Sequence, residues 1–183
     1  MSLIICNKSY FRLWQIILLI LLLYSSCNEQ PKPSHSTRHL GMMSDSIVNY
    51  NRGVVRTEDQ QIDDFIARYG WQMNKTGTGL RYLIYKKGNG KKAVKGKIAV
   101  IGYTLRFLNG DLCYSSAKEG PKEFKIGYGN VESGIEEGIL LMHVGDRAKF
   151  IVPSHLAFGL LGDQNKIPQQ ATLVYDIELV KLK

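Results

Sequence analysis

The stretch VESGIEEGILLMHVGDRAKFIV, residues 131–152, decides the fold, because it passes from a helical pattern to an extended one. In its first half, Ile135, Ile139 and Met142 recur at helical spacing, which predicts a short amphipathic helix over residues 133–141. Its second half, residues 147–152, is typical of a β-strand. A helix this short covers only one face of a sheet, so the stretch indicates a helix packed on strands.

Four further segments have strand patterns, and they lie on both sides of this stretch. Asn109-Gly110-Asp111 predicts a turn that closes a hairpin after Phe107. In the last segment, four apolar side chains face one way, namely Leu173, Tyr175, Ile177 and Leu179. The predicted strands cover residues 80–85, 98–107, 122–126 and 172–181. We therefore expect an α+β fold in which a curved antiparallel β-sheet wraps on one short helix.

A second helix is predicted ahead of the sheet. The sequence Thr57-Glu58-Asp59-Gln60 has the form of a capping box, in which the Thr57 and Gln60 side chains satisfy free N–H groups at a helix N-terminus. Behind it, apolar residues at positions 62, 65, 66 and 69 form one helical face. Gly70 is placed to end the helix. The fold is thus expected to carry an extra N-terminal helix over residues 57–70.

The N-terminal residues resemble a bacterial lipoprotein signal. Lys8 and Arg12 precede an apolar run at residues 13–23, which is shorter than the roughly 20 residues needed to span a bilayer. Small residues then lead into Cys27, as in a lipobox. We expect residues 1–26 to be a signal peptide and Cys27 to be acylated. The protein would then face the periplasm, with the outer membrane favoured over the inner one. An ordinary signal peptide with an incidental cysteine and an uncleaved anchor are the alternatives.

Residues 27–56 are predicted to be a linker, because prolines, serines and few periodic apolar residues mark the start of this segment. The 24 basic and 16 acidic side chains of the 183 residues leave a formal charge of +8. Such a charge favours solubility and specifies no partner. The lysines of residues 86–97 have no aromatic residues among them, which favours a solvated loop, so no nucleic acid is expected as a partner.

Composition and spacing also argue against metal and cofactor sites. The three cysteines are far apart. One histidine pair, His35 and His39, has the spacing of metal ligands, but it lies in a segment rich in proline and serine with no carboxylate or thiolate nearby, so no metal is expected. Gly127-Tyr128-Gly129 begins like a dinucleotide-binding fingerprint, but Gly134 comes two places too late to complete it. No nucleophile elbow or phosphate-binding loop is present in the sequence. We therefore expect chemistry that uses neither a cofactor nor a covalent intermediate.

Several motifs resemble those of the FKBP-type peptidyl-prolyl cis–trans isomerases, from about residue 80 to residue 183. They are VIGYTL at residues 100–105 with Asn109-Gly110, VESGIEEGI at residues 131–139, MHVGDRA at residues 142–148, and the series of short motifs across residues 151–179. The resemblance implies an FKBP-type domain at residues 79–183, preceded by a leading helix and its connection at residues 57–78. With the lipobox and linker, the whole chain is similar to the gliding-motility-associated FKBP-type lipoproteins of gliding bacteria.

The resemblance implies a membrane-anchored, monomeric isomerase that acts on proline-containing polypeptides of the envelope, with a role in gliding motility. It places the pocket at eight residues: Tyr103, Phe124, Val131, Glu132, Ile135, Phe158, Ile167 and Tyr175. Glu132 is expected to contribute its backbone N–H and to point its carboxylate to solvent, because burying a lone carboxylate costs several kcal/mol.

Some pocket positions depart from the family pattern. Ile135 stands where the family usually has tryptophan, Phe158 replaces the usual tyrosine, and Tyr114 stands where the family has aspartate. Lys166 lies in a flap that is usually apolar. These departures leave a second class of function open, a non-catalytic module that binds prolyl segments or a structural lipoprotein of an envelope machine. An active pocket with no histidine is expected to give a rate that is nearly flat from about pH 6 to 8.

Overall fold

The computed structural model describes residues 35–183. The predicted signal peptide and the predicted lipidation site, Cys27, lie outside the described residues. These residues form three α-helices: α1 at His35–Tyr69, α2 at Ser116–Glu119 and α3 at Ser133–Ile139. A 3-10 helix lies at Ser154–Leu156. Within the described part of the chain, no helix combines the length and the apolar character needed to cross a membrane.

Seven strands lie in the described part of the chain: β1 at Asn74–Lys75, β2 at Arg81–Lys86, β3 at Ile98–Phe107, β4 at Leu112–Ser115, β5 at Lys122–Lys125, β6 at Arg147–Val152 and β7 at Leu173–Leu182. They form one antiparallel sheet in the order β1-β2-β6-β7-β3-β4, and β5 pairs with β3 beside this path. The α+β prediction is confirmed, and the bounds of every predicted strand and of α3 agree to within two residues.

Helix α3 lies close to the sheet because two glycines face it. A Cβ atom added at Gly138 would lie 2.6 Å from Cε2 of Phe150, and one added at Gly134 would lie 2.5 Å from Cγ1 of Val152. Both distances are too short for any side chain. The four-residue spacing places the two glycines on one face of the helix, so the backbone of α3 approaches β6 and buries Ile135 and Ile139 in the core.

The opposite face of the sheet is covered by the C-terminal part of α1. Ile62 and Phe65 of α1 pack with Ile151 and Val174, which alternate along their strands with the core residues Phe150 and Tyr175. The helix ends where predicted. Gly70 has a φ of 63°, and its N–H donates to the carbonyl oxygen of Ala67.

The predicted start of this helix at Thr57 is wrong. Helix α1 already begins at His35, so residues 35–56, predicted as part of a linker, are helical. The Thr57 hydroxyl does not cap an N-terminus but donates to the carbonyl oxygen of Gly53 at 3.0 Å, one turn back inside the helix. Proline is absent from the sequence between Pro33 and Pro121, so no proline ends the helix in this region.

Candidate active site

A cavity of about 450 Å³ collects residues from strands β3, β4, β5 and β7 and from the first turn of α3. Ile135, at the start of α3, is buried, and Tyr175 from β7 is also buried. Phe158 comes from the long loop that joins β6 to β7. The lining is completed by Ile101, Tyr103, Leu105, Tyr114, Glu119, Gly120, Pro121, Lys122, Glu123 and Glu132.

Five of the eight predicted pocket residues line this cavity: Tyr103, Glu132, Ile135, Phe158 and Tyr175. Three do not. Phe124 and Ile167 are buried in the hydrophobic core, and Val131 packs against that core. Phe124 pairs across the sheet with Ala99, and it is the one residue of β5 that is buried. Sequence position alone could not separate a cavity wall from the adjacent core, because both are apolar.

The prediction that the Glu132 carboxylate points to solvent is wrong. The side chain is only 6% exposed, and its Oε1 accepts a hydrogen bond from the Tyr175 hydroxyl at 3.1 Å. Glu132 is the N-cap residue of α3, but its side chain makes no cap hydrogen bond and turns toward Tyr175. The Lys122 ammonium lies 3.7 Å from Oε2. The phenol and this positive charge partly offset the cost of burying the carboxylate.

The tyrosines of the cavity are neutral hydrogen-bond donors. Burial, and a hydrogen bond of 3.0 Å to Glu119, raise the pKa of Tyr103 to about 12. The hydrogen bond that Tyr114 donates to Asp163, together with burial, raises the pKa of Tyr114 to about 12. Burial and the neighbouring Glu132 raise the pKa of Tyr175 well above its ordinary value. Each phenol faces a carboxylate, which disfavours the phenolate.

The loop that carries Phe158 is organised by Asp163. Its Oδ1 accepts the backbone N–H groups of Asn165 at 2.9 Å and Ile167 at 2.6 Å, and the Tyr114 hydroxyl donates to its other oxygen. Desolvation raises the pKa of Asp163, but these hydrogen bonds outweigh it and the pKa is lowered. Tyr114 was predicted as a departure from the family pattern, whereas its hydrogen-bond partner Asp163 was not predicted as a site residue.

Lys166 also holds this loop against β4. Its ammonium lies 4.5 Å from the centre of the Tyr114 ring and donates to the carbonyl oxygen of Cys113 at 3.3 Å. A lysine in a flap that is usually apolar is therefore a structural contact here, since it stacks on the aromatic ring. Cys113 itself is buried with a free thiol, and burial raises the pKa of that thiol.

Glu58 of α1, which was not predicted as a site residue, joins the two ends of the same loop. Its Oε1 accepts the N–H of Ser154 and the hydroxyl of Thr172, both at 2.6 Å, and its Oε2 accepts the Ser154 hydroxyl at 3.0 Å. Ser154 stands at the start of the loop and Thr172 at its end. The signal for this role was present in the sequence, because Glu58 lies one turn before Ile62 on the apolar face of the helix.

The arrangement suits non-covalent binding of a polypeptide segment. Ile135, Phe158 and the Tyr175 ring supply apolar walls, and the phenols and carboxylates supply polar groups at defined places. Among the residues that the structure describes, no three His, Cys, Asp or Glu side chains group closely enough to hold a metal ion.

Comparison with known proteins decides the family. The model of the FKBP-type peptidyl-prolyl cis-trans isomerase family matches residues 89–180, half of the chain. The chain belongs to this family. The crystal structure of AtFKBP13 has the same fold as this FKBP-type chain, with a TM-score of 0.59 and 30% sequence identity over 62% of this chain and 100% of that one.

The curated relatives of this FKBP-type chain match it over different shares of their own length. The probable FKBP-type peptidyl-prolyl cis-trans isomerase FkpA of Neisseria meningitidis is 40% identical over 58% of this chain, which spans only 39% of that relative. FK506-binding protein 2 of Dictyostelium discoideum is 43% identical over 49% of this chain and 68% of its own length. A photosynthetic NDH subunit of lumenal location from Arabidopsis thaliana is 33% identical over 86% of this chain and 80% of its own length.

Proposed function

We propose that this FKBP-type chain is a peptidyl-prolyl cis–trans isomerase that acts on X-Pro bonds of flexible polypeptides. The observation that carries the proposal is the cavity with Ile135, Phe158 and Tyr175 in its lining. It combines apolar walls with neutral phenols, in a family that includes named isomerases.

The reaction needs shape and desolvation rather than proton transfer. Rotation about a peptide bond has a barrier of about 18–20 kcal/mol because twisting removes amide resonance. The twisted amide is less polar than the planar one, so a pocket that excludes water favours it. Only binding that is stronger to the twisted form than to the planar form lowers the barrier. Ile135 and Phe158 would exclude water from the bond that rotates.

A measurement of isomerisation tests this proposal. The purified full chain is expected to accelerate the cis–trans exchange of an X-Pro peptide in a protease-free assay. Replacement of Phe158 by alanine is expected to lower kcat/KM about tenfold, because the truncated wall admits water to the reacting amide. Tyr128→Ala is the control, since Tyr128 is exposed and lies outside the cavity.

Two results would contradict the proposal. One is no acceleration of the cis–trans exchange by the wild-type chain, and the other is an equal loss of kcat/KM in Phe158→Ala and Tyr128→Ala. A second candidate function is a binding module or a structural lipoprotein. It is favoured by the hydroxyls of Tyr114 and Tyr175, which are already bonded to Asp163 and Glu132. One relative is also named as a subunit of a complex and not as an isomerase. Binding of a proline-rich peptide without acceleration would favour this candidate.

The rate is expected to be nearly flat between about pH 6 and 8. The cavity lining contains no histidine among the described residues, and the pKa values of Tyr103 and Tyr114 are about 12. Because these pKa values are raised on folding, the stability they contribute is fully present below about pH 10 and is lost as the pH rises toward 12. The measurements are kcat/KM from pH 6 to 8 and denaturant unfolding from pH 9 to 12. A transition in kcat/KM near pH 6.5 that His155→Gln removes would contradict the desolvation mechanism.

We further propose that the chain is a lipoprotein anchored through Cys27, facing the periplasm from the outer membrane. We also propose that its clients are envelope proteins, including those used for gliding motility, and that it acts as a monomer. The support is the basic, apolar and small-residue series that ends at Cys27. Two or more acyl chains give stable attachment, at about 0.8 kcal/mol for each buried methylene.

The location is tested by palmitate labelling in a bacterium that processes lipoproteins. Wild-type chain is expected to incorporate label and to fractionate with the outer membrane. Cys27→Ser is expected to lose the label, because the serine hydroxyl does not replace the thiol that is acylated. Cys113→Ser is the matched control, since that thiol is buried and is expected to have no part in labelling. Equal labelling of the wild-type chain and Cys27→Ser would rule out the anchor.

A further inference from the structure

The buried carboxylate of Glu132 is only half satisfied. Its Oε1 accepts the Tyr175 hydroxyl, but its Oε2 has no hydrogen-bond partner among the described residues. The Glu132 side chain is only 6% exposed. A buried acceptor without a donor costs free energy. A bound group that donates a hydrogen bond to Oε2 would recover this free energy.

The nearest charge does not fill this role. The Lys122 ammonium lies 3.7 Å from Oε2, which is beyond hydrogen-bond distance. Its side chain is 40% exposed, so it has room to turn to solvent when another donor arrives. Tyr175 holds one oxygen of the Glu132 carboxylate, and a turn of Lys122 toward solvent would leave the other oxygen to accept from a ligand in the cavity.

The charges around the cavity favour a positive ligand. Its lining holds three acids, Glu119, Glu123 and Glu132, and one base, Lys122. Glu119 accepts the hydroxyl of Tyr103, and Glu123 pairs with Lys183 at 2.6 Å. Glu132 is the acid of the three whose oxygen is buried without a donor. The strongest pairing for such a carboxylate is a charge-assisted hydrogen bond from a cation.

We propose that Glu132 makes this cavity selective for X-Pro segments in which the residue before proline is arginine or lysine. The inference rests on the proposed function, since the bond that rotates joins X to proline and both residues must therefore lie in the site. The proline ring meets the apolar wall of Ile135 and Phe158, and the side chain of X reaches Oε2. Arginine is favoured over lysine, because its planar guanidinium offers several donors to a carboxylate.

Peptide binding tests the selectivity without requiring catalysis. Labelled peptides that differ only in X, with arginine, leucine or glutamate before proline, are titrated into the full chain, and affinity is measured by fluorescence anisotropy. The wild-type chain is expected to bind the Arg-Pro peptide at least about tenfold more tightly than the Glu-Pro peptide. In Glu132→Gln, whose amide keeps the shape and an acceptor for Tyr175, this ratio is expected to fall to near one.

Two further variants separate this site from general charge effects. Lys122→Met is expected to increase the preference for Arg-Pro, because it removes the competing ammonium. Glu178→Gln removes the same charge at an exposed position outside the cavity, paired with Arg147, and is expected to leave the ratio unchanged. An unselective wild-type chain, or a ratio that Glu132→Gln leaves intact, would overturn the inference.

The outcome also distinguishes this inference from the proposed activity. If isomerisation is absent but the affinity ratio behaves as expected, the cavity is a cation-selective prolyl binding site and the proposed activity fails alone. If isomerisation is present for all peptides with equal kcat/KM and equal affinity, the activity holds and the assignment of Glu132 is wrong.

Discussion

Replacement of Glu58 by alanine is expected to lower the free energy of unfolding by about 3 kcal/mol or more. The carboxylate accepts three hydrogen bonds, two from Ser154 and one from Thr172, and the Glu58 residue is only 9% exposed. Each donor left buried without a partner costs about 1–3 kcal/mol. Ser154 and Thr172 stand at the two ends of the loop that carries Phe158. The lost hydrogen bonds are therefore expected to loosen this loop and to weaken peptide binding in the cavity as well.

Denaturant unfolding of the full chain measures this effect, and the affinity for a prolyl peptide measures its consequence at the cavity. Asp64→Ala is the matched control, since it removes an exposed carboxylate from the same helix. It loses only a hydrogen bond from Gln60 one turn away and is expected to change stability by about 0.5 kcal/mol or less. Similar decreases in the free energy of unfolding for Glu58→Ala and Asp64→Ala would show that the buried hydrogen bonds do not stabilise the loop.

The contact between α3 and β6 is expected to give the second large effect. Phe150→Ala removes a fully buried ring and is expected to cost about 3–5 kcal/mol. Gly138→Ala places a methyl group 2.6 Å from that ring and is expected to cost about 1–3 kcal/mol through overpacking. The double variant is expected to be more stable than the sum of the two losses predicts, because the new methyl group fills part of the space the ring leaves.

A double-mutant cycle on the unfolding free energies measures this coupling. Replacement by alanine of a glycine with free space around it provides the control. Gly53 lies in α1 with no atom within 4 Å of an added Cβ, so Gly53→Ala is expected to be neutral or stabilising by helix propensity. Additive losses for Gly138→Ala and Phe150→Ala would show that the ring and the helix backbone are not in the close contact described.

The chemistry of the candidate site differs from what its apolar positions alone suggest. Every tyrosine of the cavity directs its hydroxyl at a carboxylate: Tyr103 at Glu119, Tyr114 at Asp163 and Tyr175 at Glu132. These pairs keep the phenols neutral and orient them, but they also occupy donors that a peptide carbonyl would otherwise use. The balance between catalysis and simple binding therefore depends on how readily a substrate competes for those hydroxyls.

Five of the seven strands and α3 could be predicted because their signals are local, whereas the short strands β1 and β4 were not predicted. In β7, one apolar face repeats every second residue, and in α3 the apolar residues Ile135 and Ile139 are one turn apart. Such patterns are complete within ten residues of sequence. The start of α1 was missed for the same reason, since Thr57 has the local form of an N-cap and only the backbone one turn before it shows that the helix continues.

The sequence by itself determined the α+β class, the positions of five of the seven strands, the short helix α3, and the group of apolar positions from which the cavity walls come. Only the tertiary structure decided which polar groups enter the cavity and what holds its loop. Glu132 meets Tyr175 across 43 residues, Tyr114 meets Asp163 across 49, and Glu58 meets Ser154 across 96. A carboxylate is equally compatible with solvent and with a buried donor in a local pattern. The choice depends on whether the fold brings a donor within about 3 Å, and that distance is set by chain segments far away in sequence.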